Sequence, residues 1–449
     1  MVTSRLVNLK GDLFATTFCF ATQAVIRLGA SLVLTRILQP EAYGVITVIL
    51  SIAAVIEMIG DIAATTFFVR DKNSEDQRYL NTVWTMRLGR SIINGFVVFF
   101  LAPLIASAIY NTPALTAPLR VYAVVFILGG LESMSFPLAI RRKRSRIMMY
   151  SELTSTVIAT AFSLTYSHYS RDYWGMIYGM LISRLTMTVL SYCFFQEFRP
   201  RLQLHRPAVK EILGFGKFVM PSSLLTLALS QFDKIVFLRL FNLQLLGVYG
   251  LAANIAGPIE SLISKISQTV LYPRCAHNFR ADRQTFFEKY YSENAKLFVS
   301  IMILPATVGG AARLVITVLY PSRYAEAAVV LQAFMLRAVL LSLASPAEDL
   351  LIAAGETRVL LVGNIFRACW MFAASLAGYY IGGFFGFAYG AASSGLPPLI
   401  YYLWLQNRKG MLIGRYEVYR VAFVFGAAAA AYLTSSLFLA VWPHIGIRS

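Results

Sequence analysis

Long apolar segments recur along the whole chain and constrain its fold more than any other feature. A membrane-spanning helix needs about 20 consecutive, mostly apolar residues, and about thirteen segments of the sequence qualify. Hydrophobic residues make up 57% of the 449 positions and charged residues only 14%, against about 45–50% and about 25% in soluble domains. A soluble protein could not cover that much apolar surface. The sequence therefore predicts an all-α integral membrane protein.

The predicted spans alternate with short polar loops. We place them at residues 12–36, 43–68, 90–108, 119–140, 147–167, 174–195, 213–238, 243–268, 294–318, 328–353, 358–378, 382–405 and 420–442. The seventh span carries Asp233 and Lys234, and only Tyr379–Gly382 separates the eleventh from the twelfth. Re-reading one such segment would change the total, so about 12 to 14 spans are compatible with the sequence.

The basic residues indicate the orientation. The net charge is +18, from 40 Lys and Arg against 22 Asp and Glu. Short cytoplasmic loops are enriched in Lys and Arg, and most of these residues fall on one side when the N-terminus is placed inside, including the run from Arg141 to Arg146. This asymmetry explains the charge without a nucleic-acid partner. We expect a multi-pass membrane protein with a cytoplasmic N-terminus.

The two halves of the chain repeat one another. Leu32–Ile59 aligns without a gap with Ile235–Leu262, and the identical pairs include Arg36 with Arg239, Gly44 with Gly247 and Glu57 with Glu260. Parallel repeats are typical of transporters with a substrate site between the halves. The predicted domains are a six-helix bundle (1–195), a basic cytoplasmic linker (196–212), a second six-helix bundle (213–405) and an additional C-terminal helix with its tail (406–449).

Four arginines lie inside predicted spans, where an ionisable side chain is a functional candidate by default. They are Arg27, Arg184, Arg337 and Arg367. Each lies about 14–15 Å from one membrane face, near the midplane. Guanidinium groups bind phosphate oxygens through paired donors, so the four predict a site for an anionic head group such as a diphosphate. The alternative is that each arginine pairs with a carboxylate and only holds helices together.

Carboxylates also occur inside the spans. Glu57 and Asp61 are four residues apart on one helix face, and with Glu260 they are candidates for Na⁺ or H⁺ coupling. The alternative for Glu57 and Asp61 is a structural pair with an arginine. The remaining carboxylates in spans are Glu132, Asp233, Glu348 and Asp349.

No pattern in the sequence predicts catalysis. The four histidines are scattered in loops or near termini, and the four cysteines are far apart without metal-ligand spacing. The outer loops are too short to hold the acceptor and catalytic residues of a membrane glycosyltransferase. We therefore expect no enzyme activity, metal or cofactor, apart from a coupling cation.

Five stretches resemble the polysaccharide-exporter branch of the multidrug/oligosaccharidyl-lipid/polysaccharide superfamily, the Wzx-type flippases. They are Leu34–Thr47 (LTRILQPEAYGVIT), Phe215–Ser222 (FGKFVMPS), Asp233–Ala253 (DKIVFLRLFNLQLLGVYGLAA), the stretch from Val270 (VLYPRCAHNFRADRQTFFEKY) through Pro305, and Tyr320–Phe334 (YPSRYAEAAVVLQAF). The stretches touch both halves, and none of them is a catalytic signature.

The resemblance implies two six-helix bundles in a V around a central cationic cavity. It also implies export of undecaprenyl-diphosphate-linked oligosaccharide for exopolysaccharide, capsule or O-antigen (lipopolysaccharide) assembly. Related flippases use an arginine of the first helix at cavity depth, which maps onto Arg27. Lipid II flippases also have cavity arginines in the second helix, where this chain has Glu57 and Asp61, which argues against a peptidoglycan-precursor role.

A second function stays open, namely a cation-coupled multidrug antiporter of the related MATE type. Such a pump needs an acidic, aromatic-lined cavity, whereas the predicted midplane is basic. The expected partners are polyprenyl-diphosphate-linked oligosaccharide and membrane lipids. Whether a polysaccharide polymerase or a chain-length regulator binds the basic cytoplasmic loops is left open by the sequence.

Overall fold

The computed structural model describes residues 2–59, 76–142, 146–193, 200–214, 231–267 without 235 and 238, 271, 274–275, 286–356, 358–410 and 414–441. Within these ranges every regular element is a helix, which confirms the all-α prediction. Ten helices of the described part are long and apolar enough to cross a membrane, or eleven when a bent pair is counted as one span. The total of about thirteen spans is not confirmed, and it stays a prediction.

The chain forms two compact units. Unit 1 comprises Met1–Leu227 and Lys234–Leu243, and unit 2 comprises Ala228–Asp233 and Gln244–Ser449. The helices of unit 1 are α1 (Val2–Ile37), α2 (Pro40–Ile59), α3 (Gln77–Leu104), α4 (Thr116–Leu131), α5 (Ser135–Arg141), α6 (Arg146–Ser170) and α7 (Trp174–Cys193). Those of unit 2 are α8 (Leu243–Ile266), α9 (Phe286–Gly310), α10 (Ala312–Leu319), α11 (Ala327–Ala353), α12 (Arg358–Ala392), α13 (Leu396–Arg408) and α14 (Gly414–Val441).

Helix α3 begins earlier than the span predicted at 90–108. Asp76 caps the N-terminus of the helix by accepting a hydrogen bond from the Arg78 N–H (3.2 Å), as aspartate commonly does at this position. The helix therefore includes Arg87, which precedes the span predicted at 90–108, and Arg90, the first residue of that span. Both arginines are half-buried on a helix of unit 1.

The span predicted at 119–140 is interrupted. Helix α4 ends at Leu131, Glu132 has an extended backbone, and α5 restarts at Ser135. Hydroxyls of α7 satisfy the backbone groups that the break frees: the Tyr192 hydroxyl donates to the Leu131 carbonyl (2.6 Å), and Ser191 Oγ accepts from the Ser133 N–H (2.9 Å). Non-helical backbone at membrane depth requires such partners. At the break, Glu132 lies beside Arg87 of α3.

Helix α12 contains a sharp turn at Gly382 and Gly383, and Gly383 has a φ of +57°. That conformation is strained for any residue with a Cβ. After the turn the chain runs back along itself, so that Gly378 and Gly386 lie backbone to backbone and Gly390 lies against Ala374. This hairpin corresponds to the eleventh and twelfth predicted spans.

Helices α9 and α10 form the bent pair, with an angle of 60° between Leu297–Gly310 and Ala312–Leu319. A Cβ at Gly310 would overlap the backbone of Ala428 on α14. The glycine therefore allows α9 and α14 to approach closely at the bend.

The described part of the predicted linker is attached to unit 1. Three of its backbone N–H groups donate to side chains of α3: Arg201 to Asn81 (3.1 Å), Gln203 to Thr85 (3.1 Å) and His205 to Thr82 (3.0 Å). A short helix at 206–214 follows and buries Ala208 and Ile212 against α3 and α5. The domain boundaries of the sequence analysis stay a prediction.

Candidate functional site

Unit 1 contains a cluster of charged side chains around the break after α4. Arg87 donates from Nη2 to Glu132 Oε2 (2.9 Å) and to the Gly129 carbonyl (2.9 Å). Glu132 is buried, so the ion pair neutralises a charge that would otherwise be costly inside the membrane. Arg87 and Arg90 are three residues apart on one face of α3, the spacing of helix neighbours. Arg90 lines the same small cavity, of about 80 Å³, as Glu57 and Arg184.

Arg184 on α7 is the most available arginine of this cluster. Its side chain is 37% exposed, and it reaches Glu132 at 3.7 Å and Glu57 at 4.0 Å. Gly129 makes room for the guanidinium, because a Cβ at that position would lie 3.2 Å from Arg184 Nε. We call Arg87, Arg90, Arg184, Glu57 and Glu132 the unit 1 cluster. Among the residues that the structure describes, this cluster has three arginines and two carboxylates.

Unit 2 holds a second cluster with the opposite balance. Arg337 on α11 donates from Nε and Nη2 to the two oxygens of Glu260 on α8 (3.0 and 3.1 Å). Asp233 lies 3.8 Å from the same guanidinium and accepts a hydrogen bond from the Tyr249 hydroxyl (2.7 Å). The Phe334 ring stacks on Arg337 at 4.7 Å. We call Arg337, Glu260, Asp233 and Tyr249 the unit 2 cluster; it has one guanidinium for two carboxylates.

The other sequence-predicted residues lie apart from these clusters. Arg27 is exposed on α1 and forms no ion pair or hydrogen bond within the described residues. Arg367 on α12 lines a cavity of about 470 Å³ in unit 2 together with Glu348 and Asp349. Asp61 lies outside the described residues. Thus the structure brings Arg184 beside Glu57 and Arg337 beside Glu260. No carboxylate of the described residues forms an ion pair with Arg27.

Sequence reasoning missed two members of the unit 1 cluster. Arg87 precedes the span predicted at 90–108 and Arg90 is its first residue, because hydropathy alone ends a span at a charged residue. The two arginines are three residues apart, and on a helix this spacing places both side chains on the same face. Among the described residues, no group of three or more His, Cys, Asp or Glu could hold a metal ion.

Comparisons with known proteins identify relatives over most of the chain. The model of the family described as "Polysaccharide biosynthesis protein" matches residues 33–329. Lipopolysaccharide biosynthesis protein WzxC of Escherichia coli (strain K12) is 23% identical over 381 residues, which are 82% of this chain and 75% of that protein. Succinoglycan biosynthesis transport protein ExoT of Rhizobium meliloti (strain 1021) is 23% identical over 245 residues, which are 54% of this chain and 48% of that protein.

Solved structures share the fold at low identity. A structure of the lipid II flippase MurJ in an inward closed conformation has a TM-score of 0.71 and 11% identity, and covers 96% of this chain and 100% of its own. An inward-facing MATE family transporter of the MOP superfamily has a TM-score of 0.63 and 17% identity, and covers 87% of this chain and 95% of its own. The likeness confirms the predicted transporter fold. Because the family model spans more than half of the sequence, the chain belongs to the polysaccharide biosynthesis protein family, as its resemblance to the polysaccharide exporters predicted.

Proposed function

We propose that this protein is a flippase that moves undecaprenyl-diphosphate-linked oligosaccharide across the bacterial inner membrane for exopolysaccharide, capsule or O-antigen assembly. Family membership supports a role in polysaccharide biosynthesis. One relative is named as a transport protein of succinoglycan biosynthesis, and a lipid II flippase shares the fold. The family and fold are those of transport proteins rather than enzymes.

The partly exposed guanidinium of Arg184 is the observation that carries this proposal. Its side chain is 37% exposed, and it contacts Glu57 and Glu132 only at 4.0 and 3.7 Å. Arginine is the preferred side chain for phosphate because its planar donors match the phosphate oxygens. A diphosphate is therefore the ligand chemistry that best suits this cluster.

The four predicted arginines differ in how much charge they can offer to a diphosphate. Arg27 is exposed and unpaired within the described residues, and Arg184 is held only loosely. Arg367 faces a cavity of unit 2. Arg337 is neutralised by Glu260 and Asp233, so it is the weakest candidate of the four. We assign head-group binding first to Arg27 and Arg184.

Cation coupling is assigned to unit 2. Glu260 is 25% exposed, and Asp233 also lies beside Arg337, so Arg337 keeps a counter-ion when Glu260 binds Na⁺ or a proton. Glu57 already faces the arginine excess of unit 1, which makes it a less suitable cation ligand, and Asp61 stays a candidate from the sequence. We propose alternating access as the transport cycle, with Na⁺ or H⁺ binding at Glu260 resetting it.

The rival function, antiport of small organic cations, is supported by the acidic balance of the unit 2 cluster. Its carboxylates, however, are engaged by Arg337 and Tyr249. An organic cation would have to displace a bidentate guanidinium to bind there. The flippase therefore agrees better with the charges of both clusters.

Reconstitution in liposomes tests the proposal. Purified protein is inserted into vesicles that contain a polyprenyl-diphosphate oligosaccharide, and the appearance of the sugar on the opposite leaflet is timed. We expect faster flipping than in protein-free vesicles, and loss of that increase in Arg27→Ala and Arg184→Gln. Arg120→Gln is the matched control, since Arg120 is an exposed arginine of unit 1 that stacks on Phe99 and belongs to neither cluster.

Two outcomes would contradict the proposal. Vesicles in which wild-type protein flips no faster than empty bilayers, but in which a cation gradient drives a small organic cation, would favour the antiporter. Flipping that survives in both arginine variants would refute the head-group assignment while leaving the flippase in place.

A further inference from the structure

A cavity inside unit 2 is lined by residues that belong to neither charged cluster. It has a volume of about 470 Å³ and lies among the C-terminal half of α11, the end of α8 and the start of α12. Its polar lining includes Ser267, Ser345, Glu348, Asp349, Asn364 and Arg367. Aliphatic side chains form the remaining wall, among them Ile263, Leu341, Ile352 and Leu360. We call it the serine cavity.

One wall of the serine cavity is fixed by a chain of hydrogen bonds. Ser267 Oγ donates to Asp349 Oδ2 (2.9 Å), and the hydroxyls of Ser267 and Ser345 share a hydrogen bond (2.6 Å). Asp349 is buried, so this chain holds a carboxylate and two hydroxyls in a defined arrangement. The wall presents acceptors and donors together rather than a charge of one sign.

Two charged groups in the cavity are left without direct partners. Arg367 Nε is buried and has no hydrogen-bond partner. Glu348 and Arg367 form no ion pair within 4 Å with each other or with any described residue. Burying polar groups without hydrogen-bond partners is costly, so we expect a molecule in the cavity to contact Glu348 and the accessible part of the Arg367 side chain.

The cavity is large enough to hold a small molecule. Small-molecule sites usually have volumes of about 300–1,000 Å³, and the serine cavity falls within that range. A phosphate would be attracted by Arg367 but repelled by Glu348 and Asp349. A cation would be attracted by the carboxylates but repelled by Arg367. The lining thus carries charged groups of both signs, and a molecule that donates to the carboxylates and accepts from the guanidinium satisfies both.

We propose that the serine cavity binds an uncharged sugar residue of the transported oligosaccharide. Sugar hydroxyls both donate and accept, so they can donate to Glu348 and accept from Arg367 at the same time. Asn364 offers a further donor and acceptor, and the aliphatic wall contacts the apolar C–H face of the ring. This assignment rests on the proposed function, since a lipid-linked oligosaccharide is what brings a sugar to this cavity.

Saturation-transfer NMR on the full-length protein in detergent micelles tests the site, with free glucose, galactose and N-acetylglucosamine as probes. We expect at least one of these neutral sugars to receive saturation. In Asn364→Ala its apparent affinity should fall about fivefold, the effect of one lost hydrogen bond. Ser345→Ala should weaken binding in the same direction. Ser342→Ala is the matched control, because Ser342 lies on the same helix but bonds to the Val339 carbonyl and does not line the cavity.

Several results would overturn the sugar site. One is that none of the three sugars receives saturation, and another is that wild type and Asn364→Ala bind the sugar equally well. A third is that inorganic phosphate or Na⁺ displaces the sugar at a concentration below that of the sugar itself. Size-exclusion profiles of the variants confirm that they are folded.

The liposome assay separates this inference from the proposed function. If Asn364→Ala binds the neutral sugar as wild type does while wild-type protein flips lipid-linked oligosaccharide, the sugar site is wrong and the flippase stands. If the neutral sugar binds in an Asn364-dependent way to a protein that flips no lipid-linked oligosaccharide, the site stands and the proposed function is wrong.

Discussion

Glu57 and Glu260 occupy the same position of the internal repeat, but the two units use them differently. In unit 2, Glu260 forms a bidentate pair with Arg337, and the side chains are only 25% and 14% exposed. In unit 1, Glu57 is 53% exposed and approaches Arg184 only to 4.0 Å. The same glutamate is therefore part of a closed ion pair in one half and of an open one in the other.

The difference follows from the surrounding charges. Arg337 lies between two carboxylates, so its charge is neutralised within unit 2. Arg184 shares Glu132 with Arg87, which forms the shorter contact (2.9 against 3.7 Å). Duplicated sequence thus leads to one cluster in which arginine stabilises the fold and one in which arginine stays available for an anion.

Removal of Arg337 should have the largest effect on stability. Arg337→Gln leaves Glu260 and Asp233 as neighbouring carboxylates without their cation, and breaking a buried pair in this way costs about 3–5 kcal/mol. Arg184→Gln should cost less than about 1 kcal/mol, because exposed pairs contribute little. The free energy of unfolding in mixed micelles, measured by denaturant titration for both variants, checks the comparison.

The double variant Arg337→Gln/Glu260→Gln is the control for this prediction. It removes one carboxylate together with the guanidinium, so it should recover much of the loss. Equal destabilisation by Arg337→Gln and Arg184→Gln would mean that the two clusters are not the open and closed pairs that we infer.

The same two substitutions should rank in the reverse order for diphosphate binding. Arg184→Gln removes an available guanidinium, and a charge-assisted hydrogen bond of about 1.5–3 kcal/mol corresponds to a loss of at least about tenfold in affinity. A short polyprenyl diphosphate titrated calorimetrically into protein in nanodiscs measures it, with Arg120→Gln as the control. Unchanged affinity in Arg184→Gln would remove the unit 1 cluster from the head-group site.

Substitution of Glu260 should separate coupling from binding. Glu260→Gln keeps a hydrogen-bonding partner for Arg337 and leaves Asp233 as its counter-ion, so the protein should remain folded. We expect flipping to lose its response to a Na⁺ or H⁺ gradient while the affinity for the diphosphate stays unchanged. We compare the flipping rates of Glu260→Gln and Glu57→Gln with and without an imposed gradient. If only Glu57→Gln loses its gradient dependence, coupling belongs to unit 1.

Hydropathy predicted the membrane helices well, but it could not predict where charged residues continue a helix. Helix α3 includes Arg87 because Glu132 neutralises it from the break after α4, and no local property of the sequence reveals that contact. The break after α4 is similarly stabilised from outside by Ser191 and Tyr192 of α7. Both deviations are tertiary effects.

The candidate site was predictable as a set of residue types and not as a set of pairs. Sequence position placed Arg184 and Arg337 at similar depth and left open whether each pairs with a carboxylate. The answer depends on which helices pack together: α8 brings Glu260 to Arg337, whereas Glu132 is engaged mainly by Arg87. The alternative of structural ion pairs therefore describes Arg337 better than it describes Arg184.

The smallest predicted effect concerns the glutamate of the open pair. Glu57→Gln removes a negative charge 4.0 Å from Arg184, and at that distance two unit charges interact by about 1 kcal/mol in a water-like medium. Stability should hardly change, while the short polyprenyl diphosphate should bind up to about fivefold tighter, because the arginine no longer shares its charge. Calorimetric titration at low and high salt measures the effect, which should shrink as salt screens exposed charges. Glu260→Gln should show no such gain, since Glu260 faces an arginine that Asp233 also neutralises. If Glu57→Gln instead binds the diphosphate more weakly, Glu57 is a positioning residue for Arg184. The two repeats would then differ in the geometry of their glutamates rather than in the charge available to an anion.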